Sequence, residues 1–385
     1  MEETSLRKFD RLLTSDLKII IEILQMHQKP VYIVGGAIRD FFFKEPIKDI
    51  DFDIATSATP EEITAYMTEK GIKVKPIGGK YGTLLVIVRK KAFEVSTFRR
   101  EVFDVLGEPP RVIFVDTIEE DLNRRDFRFN AIVYDVSRKE LFDRFNGMED
   151  IRLRRISIIG NAEDRFREDG LRIIRLARFV SKYNLKIMPD IITAIEIIGK
   201  DAKFRNPVSL QNEFFKFLLL PNPVSGLKLL FNYEVIKAVF PDLPFLEVDS
   251  LTKSQIMKYF DRFEEIPSRM PMVRLFSLLL ILSRRRELTQ DILVKISKHL
   301  ELSKKSTQRL VRLIQSWRNF PLEFDSRTLR RWVRATGINT SEDLLPFIFI
   351  NAEILGKKKI LMNQNFLVSE IQKVLQSFRI KGKSR

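Results

Sequence analysis

The sequence predicts an α+β protein, with a mixed α/β domain first and an elongated all-α region after it. Two patterns carry that expectation. As far as about residue 145, short apolar runs at strand period alternate with helical stretches and glycine- or proline-containing turns. From about 161 onward nearly everything has helical period, punctuated by prolines at 189, 207, 221, 223, 241, 244, 267, 271, 321 and 346. Charge adds a third observation. Residues 1–250 hold 40 Lys and Arg against 39 Asp and Glu, whereas residues 251–385 hold 27 against 12. The excess therefore sits in the last third, which points to a polyanionic partner, nucleic acid first.

The elements follow in order. Residues 5–27 have the spacing of one amphipathic helix, and "VYIV" (31–34) that of a short buried strand. Gly35-Gly36 turns the chain into the helical "AIRDFFF". "IDFDIAT" alternates as a strand, and "TPEEITAYMTEK" is a helix with Thr59 as cap and Pro60 at its first position. "TLLVIVR" (83–89) and "AFEVSTF" (92–98) form a hairpin through Lys90-Lys91. "REVFDVLGEPPR" (100–111) reads as a loop, followed by the strand "VIFV", a helix from Thr117, and a last strand "AIVYDV". The helical region is too long for one bundle and divides near 205 and again near 250–270.

Composition narrows the function classes. The 385 residues include no cysteine, which excludes disulfides and thiolate metal sites and suits the cytoplasm. His27 and His299 are the only histidines, so any metal is a hard ion held by oxygens. The polar start "MEETSLRKFD" is not a signal peptide, and no apolar run approaches the ~20 residues of a membrane span.

"KDIDFDIAT" (48–56) places Asp49, Asp51 and Asp53 on one face of a strand, about 7 Å apart in sequence neighbours. Such acids repel unless they face water or a cation lies between them. Either they guard an edge strand, or Asp51 and Asp53 hold Mg²⁺ for phosphoryl transfer. Gly35-Gly36, opening a helix some fifteen residues earlier, presents unshielded backbone N–H groups suited to phosphate, and Arg39 adds a charge-assisted contact. Glu94 in "FEVSTFR" is either an exposed-face residue or a third carboxylate, serving as general base or metal ligand. In "NRRDFRFNAI", Arg124, Arg125 and Asp126 end a helix, and Asn130 is placed to hydrogen-bond a ribose.

"REDGLRIIRLARF" (167–179) repeats Arg172, Arg175 and Arg178 at three-residue spacing on a helix, with Asp169 one turn before Arg172. An acceptor beside a donor suits the pairing edge of cytosine or adenine. Asp169 would accept from the exocyclic amino group and Arg172 would donate to the ring nitrogen. Uracil and guanine present the reverse order and leave mispaired groups. Arg175 and Arg178 would reach phosphate or position Asp169.

Together "GGAIRD", "DIDFDIAT", "FEVSTFR", "RRDFRFNAI" and "EDGLRIIRLARF" resemble, in order and spacing, the class II tRNA nucleotidyltransferase and bacterial poly(A) polymerase family. The resemblance implies a polymerase β-like nucleotidyltransferase head over 1–145, a helical neck over 146–205 that selects the base, a helical body over 206–270, and a basic helical tail over 271–385 that binds tRNA. It implies Asp51 and Asp53 as metal ligands, Glu94 as the third carboxylate, and Gly36, Arg39 and Arg125 as nucleotide contacts, with Gly35 beside them. Asp169 and Arg172 match the family's template for C and A, and Arg175 and Arg178 complete that helix. "KPIGGKYGTLLVIV" followed by "FEVSTFR" looks like the members that add CCA to the tRNA 3′ end from CTP and ATP. An A-adding, CC-adding or poly(A)-forming enzyme is the alternative within the family, and a non-catalytic RNA-binding protein the alternative outside it.

Overall fold

The computed structural model describes residues 2–45, 51–77, 81–104, 110–245, 249–283, 288–321, 325–354 and 364–382. Its contacts divide the chain into two units, residues 1–172 with 183–198, and residues 173–182 with 199–385.

The first unit begins with α1 (Glu2–Asp10) and α2 (Ser15–Met26). The single helix expected over 5–27 is thus broken. The Thr14 hydroxyl accepts from the Leu17 N–H and starts a new helix, although Leu12 and Leu13 continue the apolar period. There follow β1 (Val31–Val34), α3 (Gly36–Phe42), β2 (Asp53–Thr56), α4 (Pro60–Glu69), β3 (Lys73–Pro76), β4 (Thr83–Val88) and β5 (Lys91–Thr97). Next come β6 (Arg99–Val102), β7 (Arg111–Phe114), α5 (Ile118–Asn123), β8 (Val133–Asp135) and β9 (Glu140–Phe142). The stretch expected as a loop over 100–111 begins within β6 and ends on the first residue of β7, which pair antiparallel with Arg99 opposite Phe114 and Val102 opposite Arg111. Residues 105–109 of that loop, and Asp49 of the acidic run, lie outside the described residues.

Seven strands form one sheet in the order β3-β4-β5-β2-β1-β8-β9. β2 and β5 run parallel and the other neighbours antiparallel. The central place of β2 brings residues from three stretches of sequence side by side. Ile54, Leu84, Val86, Phe93 and Val95 are buried on one face, against which α2 and α4 pack. On the other face Val34, Ala55 and Val133 join Phe98, Ile118, Leu122, Ala131 and Ile159 in a second core. Thr59 and Glu62 close a reciprocal capping box at the start of α4.

The chain then forms α6 (Gly147–Arg152), β10 (Arg155–Ile156), α7 (Ala162–Glu168), α8 (Leu171–Tyr183), β11 (Lys186–Ile187) and α9 (Pro189–Ile198). Helix and strand pairs α7–α9 and β10–β11 pack within the first unit. Gly147 is needed by close approach, because a Cβ there would lie 2.4 Å from the Arg128 carbonyl oxygen.

The second unit takes residues 173–182 of α8 and continues with α10 (Pro207–Leu218), α11 (Val224–Asn232), α12 (Val235–Val239), α13 (Ser250–Asp261) and α14 (Pro271–Leu282). It ends with α15 (Gln290–His299), α16 (Lys304–Arg318), α17 (Ser326–Thr336), α18 (Ile338–Ile354) and α19 (Gln364–Gly382). Prolines 189, 207 and 271 open helices as their fixed φ and missing N–H favour, but Pro346 lies inside α18. Helix α14 is buried on every side from Val273 to Leu282 and packs against α10, α13, α16 and α18. Its Arg274 is fully buried and donates to the carbonyls of Leu218, Leu220 and Ile266, and burial brings its pKa down to about 10. On α17, Leu329, Trp332 and Val333 face the core while Arg327, Arg330, Arg331 and Arg334 are exposed. The charge excess of the last third is therefore displayed on helix surfaces.

Candidate active site

The site is built on the end of β1, the start of β2 and the middle of β5. Val34, the last residue of β1, pairs with Asp53, the first of β2. Ile54 is in register with Val95, so Glu94 is next to Asp53 on the same sheet face. Asp51 precedes the strand and is exposed, Asp53 is half-buried, and Glu94 is exposed. Gly35 follows β1 with φ +79°, a conformation that favours glycine, and a Cβ on it would lie 2.7 Å from an Asp53 carboxylate oxygen. The turn and the acid are thus mutually fitted. Gly36 then opens α3, with the Arg39 guanidinium 3.2 Å from where its Cβ would be.

Burial, then the Glu94 and Asp51 carboxylates, push the Asp53 carboxyl up to about 7, while Arg125 and Arg39 pull it down. The five groups expected from the sequence to work together are therefore within electrostatic reach of one another. The donor set consists of hard oxygens crowded enough to favour a cation, which fits Mg²⁺. No group of three or more such side chains converges closely enough to enclose an ion by itself among the described residues, so such an ion would also need substrate oxygens.

Both arginines are held from behind. Arg39 donates through Nε to Asp40 and to the Tyr183 hydroxyl, both at 2.9 Å, and through Nη1 to Asn130 Oδ1 at 2.7 Å. Tyr183 donates in turn to Asp40 and stacks on Phe43 with ring centroids 4.1 Å apart. Burial opposes the Arg39 charge, but Tyr183 and Asp40 outweigh it and raise its pKa. Burial also raises that of Tyr183, which keeps the hydroxyl a donor. Arg125 donates to the Asn130 carbonyl at 3.2 Å and to Asp121 at 3.1 Å. Asn130, placed from the sequence to meet a ribose, has its amide engaged inside the protein at both ends, since Nδ2 donates to Asp126 at 2.8 Å.

Asp169 and Arg172 do not share one helix face as the sequence spacing suggests. Asp169 is extended at the end of α7, and its carboxylate accepts from the Leu171 N–H at 3.0 Å, so it starts α8. Arg172 is buried, and its Nη1 donates to Glu168 at 2.6 Å and to the Arg165 carbonyl at 2.7 Å. Arg165 donates onward to the carbonyls of Arg124 and Arg125 at 2.7 and 2.6 Å. Arg172 is thus linked through Glu168 and Arg165 to the backbone of Arg124 and Arg125. Arg175 and Arg178 belong to the second unit, where both pair with Glu213 of α10 and Arg178 lies 4.2 Å over the Phe179 ring.

Residues 31–157 match the family described as the poly A polymerase head domain. A CCA-adding enzyme of Bacillus mycoides is 38% identical over 247 residues, 64% of this chain and 59% of that protein. One from Bacillus cytotoxicus is 39% identical over 240 residues, 62% of this chain and 57% of that protein. The chain is thus similar to CCA-adding enzymes, and its residues 31–157 to the poly A polymerase head domain. Its matched part spans under three-fifths of the length of these curated relatives. Among solved structures, the Bacillus stearothermophilus CCA-adding enzyme in complex with CTP superposes with a TM-score of 0.70 at 27% identity, covering 94% of this chain and 82% of that one. A tRNA nucleotidyltransferase complexed with a primer tRNA and an incoming ATP analog shares the fold, with a TM-score of 0.64 at 20% identity, covering 91% and 99%.

The family's head-domain stretch contains Gly35, Gly36, Arg39, Asp51, Asp53, Glu94, Arg125 and Asn130, whereas Asp169 and Arg172 lie beyond it. Asp40, Asp121 and Tyr183 support the two arginines and were missed in the sequence. Asp40 adjoins a motif residue and Asp121 lies one turn before Arg125, but Tyr183 meets Asp40 across 143 residues and left no local signal.

Proposed function

We propose that this protein adds CCA to the 3′ end of tRNA, without a nucleic-acid template, from CTP and ATP. The observation that carries the reading is the cluster of Asp51, Asp53 and Glu94 facing Arg39 and Arg125, in which burial and then the neighbouring carboxylates push the Asp53 carboxyl up to about 7. Asp51 and Asp53 would hold Mg²⁺, which when bound supplies polarisation of the phosphate and of the attacking hydroxyl. Arg39 and Arg125 bind the triphosphate, fixed in direction by Asp40, Tyr183, Asn130 and Asp121. Glu94 takes the proton of the tRNA 3′-hydroxyl as the O3′–Pα bond forms and the bond from Pα to pyrophosphate breaks. Asp169 and Arg172 select C and A by their pairing edges, Arg172 being anchored through one nitrogen by Glu168 and the Arg165 carbonyl. Arg175 and Arg178, oriented by Glu213, stiffen the same helix.

The basic helix surfaces of the second unit, including α17, take the tRNA by shape and backbone, so binding weakens steeply with salt. The chain has no cysteine, and no helix among the described residues is long and apolar enough to cross a membrane. A cytoplasmic site of action, where tRNA and nucleotides meet, completes the reading.

Supplying CTP, ATP, GTP and UTP singly, and CTP with ATP, to tRNAs ending before CCA, after C and after CC tests this directly. Addition of C, C and one A, and then arrest, is the expected result. A alone on the CC-ended tRNA would make this an A-adding enzyme, arrest after CC a CC-adding one, and an open-ended A tail a poly(A) polymerase. Tight binding without incorporation would overturn catalysis altogether.

A further inference from the structure

Resting on the nucleotidyl-transfer reading above, we propose that the outer half of the carboxylate-bearing sheet face seats the incoming RNA strand, whose phosphates are gripped by Lys73 and Lys75. Strand register supplies the placement. Lys75 is opposite Leu85, Leu85 is opposite Glu94, and Glu94 adjoins Asp53. Directly opposed residues share a face, so one row crosses β3, β4, β5 and β2 as Lys75, Leu85, Glu94, Asp53. The next row holds Lys73, Ile87 and Ala92. With strands about 4.8 Å apart, Lys75 is roughly 10 Å from Glu94 in backbone position.

Among the described residues, the outer half of this face is exposed where the opposite face is covered. Val86, Phe93 and Val95 are buried on the side that α2 and α4 cover, whereas Leu85 and Ile87 are half-buried, and Lys73, Lys75, Ala92 and Glu94 are exposed. Lys73 and Lys75 form no ion pair among the described residues, unlike Lys29 with Glu62 or Lys70 with Glu69 in the same unit. Their charge is therefore uncompensated and displayed beside an apolar strip, as a polynucleotide groove requires.

The direction of the reaction selects the occupant. Attacking and leaving oxygens stand on opposite sides of the α-phosphorus. Arg39, on the helix that follows β1, and Arg125, bonded to the Asn130 that Arg39 also holds, lie on the β1 side of Asp53. A triphosphate held there sends pyrophosphate toward β1, so the attacking 3′-hydroxyl comes from the β5 side. The strand behind it crosses β4 and β3. Lysines on an edge strand also discourage sheet-to-sheet pairing, but that role calls for no particular face, and here Val74 turns both lysines to the side of Glu94.

The test uses the full chain, a tRNA lacking CCA, and the double variant Lys73→Ala/Lys75→Ala. The KM for tRNA should rise about tenfold, with kcat and the KM for CTP changed less than about twofold, and the salt dependence of tRNA binding should flatten by about 1.4 in log–log slope, as loss of two single-strand phosphate contacts dictates. Lys73→Arg/Lys75→Arg should restore both readouts. Lys90→Ala/Lys91→Ala, removing equal charge at the β4–β5 turn, should leave them unchanged. A rise in the KM for CTP instead would make the lysines triphosphate ligands, no change would make them edge guards, and an equal effect of the turn variant would make the attraction diffuse; each overturns the proposal. Should the unaltered protein add no nucleotide, the reaction reading falls by itself, while filter binding of the same tRNA to the two double variants still decides the lysines.

Discussion

Two aspartates flank Arg125, and their fates are opposite. Asp121 is fully buried and accepts from Arg124, from Arg125 and from the Arg99 N–H, at 2.8 to 3.2 Å. Burial works against its charge, but the Arg125 and Arg124 guanidiniums win and hold its carboxyl below the usual carboxylate range. Asp53 is less buried, yet burial, with Glu94 and Asp51 beside it, pushes its carboxyl up to about 7. One acid has more positive partners than it needs, and the other has too few. The first is a structural anchor, and the second is a group whose charge a bound cation would relieve.

The largest expected effect separates them by activity. Asp53→Asn should lower nucleotide incorporation by roughly a thousandfold or more, as loss of a group acting on the reacting phosphate implies, while the melting temperature stays unchanged or rises. Rapid-quench assays alongside thermal melts check both. A melting temperature that collapses with the activity would make Asp53 a structural residue like Asp121.

The reverse variant comes next. Asp121→Ala removes the shared acceptor of two half-buried guanidiniums and leaves their charges facing each other. Breaking such a pair costs about 3–5 kcal/mol, which corresponds to a fall of roughly 10 °C in melting temperature for a unit of this size. Calorimetry reads it. The KM for CTP should rise with it, since Arg125 loses the acid that aims it. A normal melting temperature would show that Arg124 and Arg125 are held by other contacts.

The same contrast explains what the sequence disclosed. Asp51, Asp53, Glu94 and the glycine turn were legible because their spacing is local and runs against expectation, with like charges on one strand face and a double glycine before a helix. The mixed sheet followed by helices was legible from period alone. Asp121 resembled an ordinary helix acid, because its meaning comes from Arg99 and Arg125 meeting it in space. Strand β3, "KVKP", was too polar to register as a strand, although its place at the sheet edge accounts for that composition. The β6–β7 hairpin was hidden by the Gly-Glu-Pro-Pro between its strands. The break at Asp169-Gly170 was hidden because Asp169 lies one turn before Arg172, in step with the arginine spacing that follows it.

The smallest effect is the dependence of metal-free stability on pH, and it isolates Asp53. An unperturbed aspartate titrates near 3.9, whereas Asp53 in the folded protein titrates at about 7. Between these values the folded state keeps a proton that the unfolded chain has released. Stability contributed by this group is therefore fully present below about 4, declines as the pH rises, and is lost above about 7. Asp121, Glu62 and the other carboxylates lowered by their partners give slopes of the opposite sign at lower pH, so the difference from Asp53→Asn is the informative quantity. In chelator-treated protein, denaturant midpoints at pH 5 and pH 8 should show the variant gaining on the unaltered chain as pH rises. A constant difference between the two pH values would mean that Arg39 and Arg125 already neutralise Asp53, and that its likeness to Asp121 is closer than the geometry of the two sites implies.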